Sequence, residues 1–216
     1  MPSELHIVGT GGLAKECAQL ARQIDPDCKR WTYIKYVANE ENLLGTPLPY
    51  GCVSMMEEDL NYVDRNVDVV IGVGHPTIKQ RIIQKLSGNA KLKFPNLIHP
   101  TVEIEPSLVK LGVGNIVTKG VVMTCDVEIG DFNLFNWNCT IGHDTMIGSY
   151  NVINPGSSIS GRVKMGDRCL VGTGARIIEN IVIGSNILIG AGAVVTRSIA
   201  QEGVYVGVPA RMKNTQ

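Results

Sequence analysis

The stretch CTIGHDTMIG, residues 139–148, sets His143 beside Asp144. Histidine is the side chain whose ordinary pKa lets it take up and release a proton near neutral pH. A neighbouring carboxylate can hold the imidazole in one orientation and stabilise its protonated form. The pair could equally be two exposed polar residues at a turn. Of four histidines, at 6, 75, 99 and 143, only His143 lies in the periodic part of the chain, and this favours a general base.

The residues around His143 repeat with a period of six. From Leu111 to Val195 every sixth residue is apolar, fifteen in succession, and the residue that follows is glycine at 112, 130, 142, 148, 166, 172, 184 and 190. This period fits neither a plain sheet nor a helix. It predicts a solenoid in which each hexad forms one short strand and one turn, and three hexads close a triangular coil.

The repeat also predicts where the ionisable pair lies. The apolar anchors are expected to point into the prism, and the small residue after each anchor is expected at a bend, where glycine tolerates dihedral angles forbidden to other residues. His143 and Asp144 follow the anchor Ile141 and Gly142, so they should face outward at or near a corner.

The first part of the chain has a different pattern, typical of a short α/β domain with a mostly parallel sheet. The predicted strands cover 5–8, 31–37 and 67–74, and the predicted helices cover 13–24 and 76–86. We therefore expect two domains, 1–95 and 96–216, with the change near the two prolines of KFPNLIHP.

The turn GTGGLA, which joins the first strand to the first helix, matches G-x-G-x-x-G/A at Gly9, Gly11 and Ala14. Such a turn can bring backbone N–H groups and a helix N-terminus to a phosphate. An NAD site would also need an acidic residue near the end of the second strand, where Lys35 stands. A purely structural turn is another reading. The pattern favours a turn that holds a nucleotide-linked ligand.

Composition narrows the remaining classes. The hydrophobic content is 44%, which is ample for a packed core. The formal net charge is zero, so the chain shows no excess of positive charge that would attract nucleic acid or an anionic membrane. No signal peptide or membrane-spanning run is visible, so a cytoplasmic protein without membrane insertion is expected. The six cysteines form no C-x-x-C pair and read as reduced thiols, and the scattered histidines predict no metal site. Cys139 is a weaker candidate, as a nucleophile, because it falls in a column of small, buried residues.

The C-terminal stretch TRSIAQEGVYVGVPARMKN contributes Arg197, Arg211 and Lys213. Each could be a solvated charge. Together they could hold a phosphorylated cofactor that lies along the stack of coils.

The whole chain resembles the sugar O-acyltransferase and sialic-acid O-acetyltransferase family, and within it the bacterial nucleotide-aminosugar N-acetyltransferases. The resemblance is carried by IVGTGGLAKE, VVIGVGHPTIKQRIIQKL, LIHPTVEIEPS, NWNCTIGHDTMIG, INPGSSISG and VYVGVPARMK. It implies a small Rossmann-like α/β domain followed by a left-handed parallel β-helix. It also implies a homotrimer, with acetyl-CoA running along the coils and the sugar's nucleotide on the N-terminal domain.

The resemblance assigns roles residue by residue. It implies that His143 is the general base, that Asp144 strengthens it as a base, and that Asn136 lies on the acceptor side. For the nucleotide sugar it implies a site at Gly11, Gly12, Leu13, Lys35, Tyr36 and Gly72. For the acetyl group or the pantetheine arm of coenzyme A it implies contacts at Gly161, Thr173 and Ala191, and Val152 occupies a position near the acetyl group. Arg197 and Arg211, from the C-terminal stretch, complete the expected coenzyme A site.

The expected reaction is acetyl transfer from acetyl-CoA to the amino group of a UDP- or dTDP-linked 4-amino-deoxysugar, in polysaccharide biosynthesis. Lys35 and Tyr36 stand where relatives often have an acidic pair, which bears on the nucleobase and sugar. Val152 stands where a relative has a histidine near the acetyl group, so a different acyl-CoA is an alternative. Two further alternatives are a sugar O-acetyltransferase, which would act on a hydroxyl group, and a non-catalytic sugar-binding scaffold.

Overall fold

A computed structural model of the chain describes residues 3–213, which divide into two compact units. The first unit runs up to Gly74 and includes Ile78–His99. The second comprises His75–Thr77 and the chain from Pro100 onward. No helix within residues 3–213 is long and apolar enough to cross a membrane.

The elements before residue 100 include a six-stranded sheet and its helices. They are β1 (Glu4–Val8), α1 (Gly12–Ile24), β2 (Tyr33–Ala38), the 3-10 helix η1 (Glu41–Leu43), β3 (Pro47–Leu48), β4 (Gly51–Met56), the 3-10 helix η2 (Glu57–Tyr62), β5 (Val67–Ile71), α2 (Pro76–Leu86), β6 (Leu92–Lys93) and β7 (Leu97–Ile98). The strand order is β3-β4-β2-β1-β5-β6, and every pair but β3–β4 is parallel. The predicted α/β architecture is confirmed.

Small residues let α1 pack closely on this sheet. A β-carbon at Gly72, after β5, would lie 2.7 Å from the Cα of Ala14 in α1. A β-carbon at Gly9 would lie 2.9 Å from the carbonyl oxygen of Gly72, and Gly9 has a φ of +115°. The glycines of GTGG and of VVIGVG therefore have a packing role.

The second unit is a stack of very short strands. They are β8 (Val109–Leu111), β9 (Ile116–Val117), β10 (Val122–Met123), β11 (Val127–Ile129), β12 (Leu134–Phe135), β13 (Thr140–Ile141), β14 (Met146–Ile147), β15 (Val152–Ile153), β16 (Ser158–Ile159), β17 (Lys164–Met165), β18 (Leu170–Val171), β19 (Arg176–Ile177), β20 (Val182–Ile183), β21 (Ile187–Ile189), β22 (Val194–Val195), β23 (Gly203–Val206) and β24 (Arg211–Met212).

From β8 to β22, each strand pairs in parallel with the strand three places later in the chain. This pairing produces three faces of a β-helix. One face is β8-β11-β14-β17-β20, the second is β10-β13-β16-β19-β22, and the third contains β9-β12-β15-β18-β21, followed by β23 and β24. The register is 18 residues per coil, as in Val122 with Thr140 and Thr140 with Ser158. The predicted coil of three hexads is confirmed.

The anchors of the repeat form the interior. Fourteen of the fifteen are buried, and Leu111, in the first coil, is half-buried. Polar side chains also occupy the interior at one corner, where Asn133 Oδ1 accepts from the backbone N–H of Asn151 at 2.8 Å and Asn151 Oδ1 accepts from that of Cys169 at 2.7 Å. These amides satisfy buried N–H groups that the turns would leave unpaired.

The glycine that follows an anchor does not adopt the conformation expected for it. The left-handed φ occurs three residues after the anchor, for example at Asn138, Asp144 and Arg162. The prediction that these glycines sit at forbidden dihedral angles was wrong.

On one face the glycine instead makes room for a side chain of the next coil. A β-carbon at Gly112 would collide with Asp131 Oδ1, which accepts from the N–H of Val113 at 2.8 Å. Ser149, Asp167 and Ser185 repeat the arrangement on successive coils. The glycine column thus permits a ladder of side chains that binds coil to coil.

Candidate active site

Successive coils stack Cys125, His143, Gly161 and Glu179 at one corner, hereafter the His143 corner. Hydrogen bonds fix this stack, because Asp144 N–H donates to the Cys125 carbonyl at 3.1 Å and Arg162 N–H donates to the His143 carbonyl at 2.8 Å. Asn180 N–H donates to the Gly161 carbonyl at 3.1 Å. The predicted outward corner position of His143 is what the structure has.

His143 and Asp144 contact each other directly. Imidazole Nδ1 lies 2.6 Å from Asp144 Oδ2, and the two side chains are 48% and 53% exposed. With the proton on Nδ1 donated to the carboxylate, Nε2 carries a free lone pair and can accept a proton from a ligand. The pair can therefore act as an oriented general base in contact with solvent or substrate.

Gly161 borders the reactive nitrogen of His143. A β-carbon at position 161 would lie 2.7 Å from Nε2, so glycine is required for the ring to occupy this position. The backbone N–H of Gly161 has no hydrogen-bond partner within residues 3–213. The space beside Nε2 is thus bounded by an unpaired donor, which is the requirement for stabilising an oxyanion.

Three other predicted residues lie at the next corner of the same prism. Asn136, Thr173 and Ala191 occupy this corner on different coils, and Asn136 Oδ1 accepts from the N–H of Trp137 at 2.9 Å. Thr173 and Ala191 are exposed. The strand β13 separates Asn136 from His143, a path of seven residues that spans at most about 25 Å. One prism therefore holds these residues at two corners.

The remaining residues predicted for coenzyme A have differing exposure. Val152 lies in β15 and is only 1% exposed, so its side chain is covered. Arg197 follows β22 and is exposed. Arg211 begins β24 and is exposed, with Nη1 donating to the Ala210 carbonyl at 2.9 Å. The two arginines are accessible to an anion and Val152 is not.

Cys139, the alternative nucleophile, is fully buried next to this corner. Its Sγ lies 3.2 Å from the carbonyl oxygen of Asn154, and burial raises the pKa of the thiol to about 11. A protonated, enclosed thiol is a poor nucleophile. The geometry favours His143 over Cys139 as the reactive group.

In the first unit, the predicted nucleotide turn forms the start of α1. Gly11 is the N-cap, with φ −80°, and Gly12 begins the helix. Nothing lies within 4 Å of a β-carbon built at either glycine. The first N–H groups of a helix, here including that of Leu13, have no partner within the helix, and the exposed glycines beside them leave room for a phosphate. Gly72 lies behind them, against Ala14.

Lys35 and Tyr36 have structural partners. Lys35 Nζ donates to Glu4 Oε1 at 2.7 Å, in a cluster where Glu4 also pairs with Arg65 at 2.6 Å and His6 at 3.0 Å. Tyr36 is fully buried and its hydroxyl donates to the Pro49 carbonyl at 2.7 Å. Both side chains therefore already have a hydrogen-bond partner within the first unit.

A pocket of about 700 Å³ opens near this turn, entirely within the first unit. It lies at the carboxyl ends of β1 and β2, between η2 and α2. Asn39, Glu58 and Arg81 line it, and sequence reasoning missed all three. Their spacing matches no known motif. The one sequence signal is the polar pair Asn39-Glu40, which directly follows β2 and so stands at the end of a strand.

Comparison with known families matches both parts of the chain. The PglD N-terminal domain family matches residues 4–86. The bacterial transferase hexapeptide family, described as six repeats, matches residues 162–197. No curated protein is significantly similar in sequence.

Solved structures match the chain over almost its whole length. A variant of perosamine N-acetyltransferase from Caulobacter crescentus, in complex with CoA and GDP-perosamine, has a TM-score of 0.88 and 27% identity, and the match covers 99% of this chain and 98% of that one. The acetyltransferase domain of PglB from Neisseria gonorrhoeae, in complex with acetyl coenzyme A, has a TM-score of 0.89 and 26% identity over 99% and 100%. WeeI from Acinetobacter baumannii shares the fold, with a TM-score of 0.85 and 24% identity over 98% and 100%.

These matches agree with the PglD-type first unit and the hexapeptide coils. The family predicted from the sequence is confirmed. The chain has a PglD-type domain followed by a hexapeptide-repeat β-helix, and over nearly its whole length it is similar to bacterial nucleotide-aminosugar acetyltransferases.

Proposed function

We propose that this acetyltransferase transfers the acetyl group of acetyl-CoA to the amino group of a nucleotide-linked amino sugar. The observation that carries the proposal is the His143–Asp144 pair, whose Nε2 lies beside Gly161, a residue with an unpaired backbone N–H within residues 3–213. Support for the two substrates comes from the structural relatives, one bound to CoA and GDP-perosamine and one to acetyl coenzyme A.

The reaction is direct attack of the amine on the thioester. The amine nitrogen bonds to the carbonyl carbon and its proton passes to Nε2 of His143. The carbonyl oxygen becomes an oxyanion, which accepts a hydrogen bond from the Gly161 N–H. Collapse breaks the carbon–sulfur bond, and the imidazolium returns its proton to the departing thiolate. No acyl-enzyme forms, so no nucleophilic side chain is needed.

Asp144 orients the base. Its carboxylate, 2.6 Å from Nδ1, holds the tautomer with an unprotonated Nε2 and stabilises the imidazolium of the intermediate. The charge is fixed before reaction and needs no rearrangement when the proton moves.

The binding roles extend to both units. The pantetheine arm lies against the corner of Thr173 and Ala191, and Arg197 and Arg211 hold the phosphates of coenzyme A. The nucleotide phosphates lie at the start of α1, over Gly11, Gly12 and Leu13, where N–H groups and the helix dipole favour an anion. Asn136 contacts the acceptor, while Lys35, Tyr36 and Gly72 support the nucleotide site from behind.

The active assembly is a homotrimer. The two corners that carry the predicted residues are separated on one prism by a full face, so His143 of one copy meets the second corner of a neighbouring copy. Six free cysteines suit the reducing cytoplasm, where the product would enter polysaccharide biosynthesis.

The test is release of free coenzyme A from acetyl-CoA in the presence of GDP-, UDP- and dTDP-linked amino sugars and their hydroxyl counterparts. The His143→Ala variant should lose about 10²- to 10⁴-fold in turnover, the range that a positioned general base supplies. His75→Ala is the matched control, because His75 is an exposed histidine outside the His143 corner. It should turn over at the wild-type rate.

Near-normal turnover in folded His143→Ala trimers would remove the base role. Release with hydroxyl sugars alone would make the protein an O-acetyltransferase, and failure to bind coenzyme A would restore the scaffold reading. A monomer with full activity, detected by light scattering under assay conditions, would overturn the homotrimer.

A further inference from the structure

The pocket of the first unit has walls of opposite charge. Glu57 and Glu58 come from η2, and Arg81 and Lys85 come from α2. Lys85 Nζ lies 3.2 Å from Glu57 Oε1, so these two neutralise each other. Within residues 3–213, Glu58 and Arg81 form no ion pair or side-chain hydrogen bond. One carboxylate and one guanidinium therefore remain available to a ligand.

The floor between these walls is apolar. Val8, Val37 and Val73, from the ends of β1 and β2 and from the segment after β5, line it together with Ile78 and Ile82 of α2. A flat aromatic ring can bury its faces against such side chains while its edges reach the charged walls. The pocket lies outside the carboxyl ends of parallel strands, where open α/β sheets bind nucleotides.

We propose that the pocket selects guanine, so that the sugar is carried by guanosine diphosphate. Glu58 accepts the N1–H and one N2–H of the base together, and Arg81 donates to O6 and N7. This assignment rests on the proposed nucleotide-sugar substrate, and it departs from the UDP or dTDP carrier predicted from the sequence.

The charge pattern discriminates against the other bases. Guanine has two adjacent N–H donors on one edge, which a single carboxylate can accept in parallel. Uracil and thymine present one N–H between two carbonyl oxygens, and those oxygens would face the charge of Glu58. Adenine and cytosine present an unprotonated ring nitrogen there. Only guanine satisfies the free carboxylate and the free guanidinium at once.

Calorimetric titration of the intact protein with GDP, inosine diphosphate, UDP and dTDP tests this. Inosine lacks only the 2-amino group, so the ratio of GDP to inosine diphosphate affinity isolates the contact with Glu58. The wild type should bind GDP about 5- to 150-fold more tightly than UDP or dTDP, the discrimination of one bidentate base contact. GDP should also exceed inosine diphosphate by about fivefold or more.

The variant Glu58→Gln should bring GDP and inosine diphosphate to within about twofold, because the second acceptor oxygen is lost. Arg81→Ala should weaken GDP binding at least as much as the loss of N7 weakens binding of 7-deazaguanosine diphosphate to the wild type, because the variant loses the contacts with both O6 and N7. Glu41→Gln is the matched control, since Glu41 is an exposed carboxylate of η1 outside the pocket. It should leave every affinity unchanged.

Tighter binding of UDP or dTDP than of GDP, or an unchanged GDP to inosine diphosphate ratio in Glu58→Gln, would overturn the assignment. The two proposals fail separately. Selective GDP binding without acetyl transfer to any GDP-linked amino sugar would sustain guanine selection and remove the reaction. Transfer to a UDP-linked amino sugar in preference to a GDP-linked one would do the reverse.

Discussion

Gly161 lies against the imidazole of His143 so closely that a β-carbon there would be 2.7 Å from Nε2. The residue one coil above the base is thus part of the reaction space, although it has no side chain. Its N–H is also an unpaired donor within residues 3–213. The same glycine leaves room for the base and supplies the oxyanion donor.

We expect Gly161→Ala to lower turnover by about tenfold to a hundredfold, because the methyl group displaces the ring from its position beside the donor. The exposed ring can rotate away, so the melting temperature should stay close to that of the wild type. Gly88→Ala is the control, since nothing lies within 4 Å of a β-carbon there. Unchanged turnover in Gly161→Ala would show that the acyl group binds elsewhere.

Substitutions at Asp144 should separate its catalytic and conformational roles. Asp144 has a φ of +57°, a left-handed conformation that asparagine and aspartate tolerate better than alanine. Asp144→Ala should therefore unfold at a free energy about 1 kcal/mol lower, and Asp144→Asn should not. Both should lose about 10- to 10³-fold in turnover, because neither holds the imidazolium with a charge.

Urea unfolding and the coenzyme A release assay measure these two effects. Asp126→Asn serves as the control, because Asp126 occupies the equivalent left-handed position one coil earlier, with a φ of +55°. Full turnover in Asp144→Asn would mean that orientation of the ring does not depend on the carboxylate charge.

Replacement of Cys139 should leave catalysis intact. The thiol is buried and its pKa is raised to about 11 by burial, so it carries a proton at neutral pH. Cys139→Ala should keep turnover within about twofold, with a loss of stability on the order of 1 kcal/mol from the missing sulfur contacts. A collapse of turnover in a variant with a normal circular dichroism spectrum would point to a covalent intermediate.

The first unit should lose stability in acid through Glu4. Burial alone would raise the pKa of this carboxyl, but hydrogen bonds from Lys35, His6 and Arg65 outweigh it and lower the pKa from 4.5 to about 2. A carboxyl with a lower pKa in the folded state stabilises the fold above its unfolded pKa. That contribution is therefore full above about pH 4.5 and lost as the pH falls towards about 2.

Glu4→Gln should accordingly unfold at a free energy lower by on the order of 1 kcal/mol at pH 7, because solvent screens part of the interaction. The gap to the wild type should close as the pH falls from about 4.5 to about 2. Chemical denaturation at several pH values measures this gap. The control is Glu41→Gln, because Glu41 is exposed and its carboxylate has no ion pair or hydrogen bond within residues 3–213. A gap that does not change with pH would exclude the charge as its cause.

The β-helix could be predicted in detail because its interior repeats. Each anchor must be apolar to fill the same column, so the period and the corner position of His143 are visible in the chain. The left-handed corner residue could not be predicted, because its type varies, from Asp144 to Arg162 and the buried Phe132. The role of the glycine column was likewise hidden, since it depends on side chains 18 residues away.

Fewer features of the first unit could be predicted from the sequence. The short β3 and β4 were missed because Gly51 and the brief run to Met56 carry a weak apolar alternation. The pocket walls were missed for another reason. Glu58 and Arg81 are 23 residues apart and line the same pocket only through the placement of η2 and α2 on the sheet. The fold determines this proximity, and the local pattern around each residue does not.

The coil register makes the prism a molecular ruler. His143, Gly161 and Glu179 are separated by one coil each, and neighbouring strands lie about 4.8 Å apart, so every further 18 residues lengthen the prism beyond the base by that step. A segment of 18 residues could be removed or duplicated above Gly161 without shifting any anchor out of its column. The number of coils, rather than any single side chain, would then determine the length of acyl carrier that fits along the prism. That length is the distance from the carrier's thioester to its phosphates.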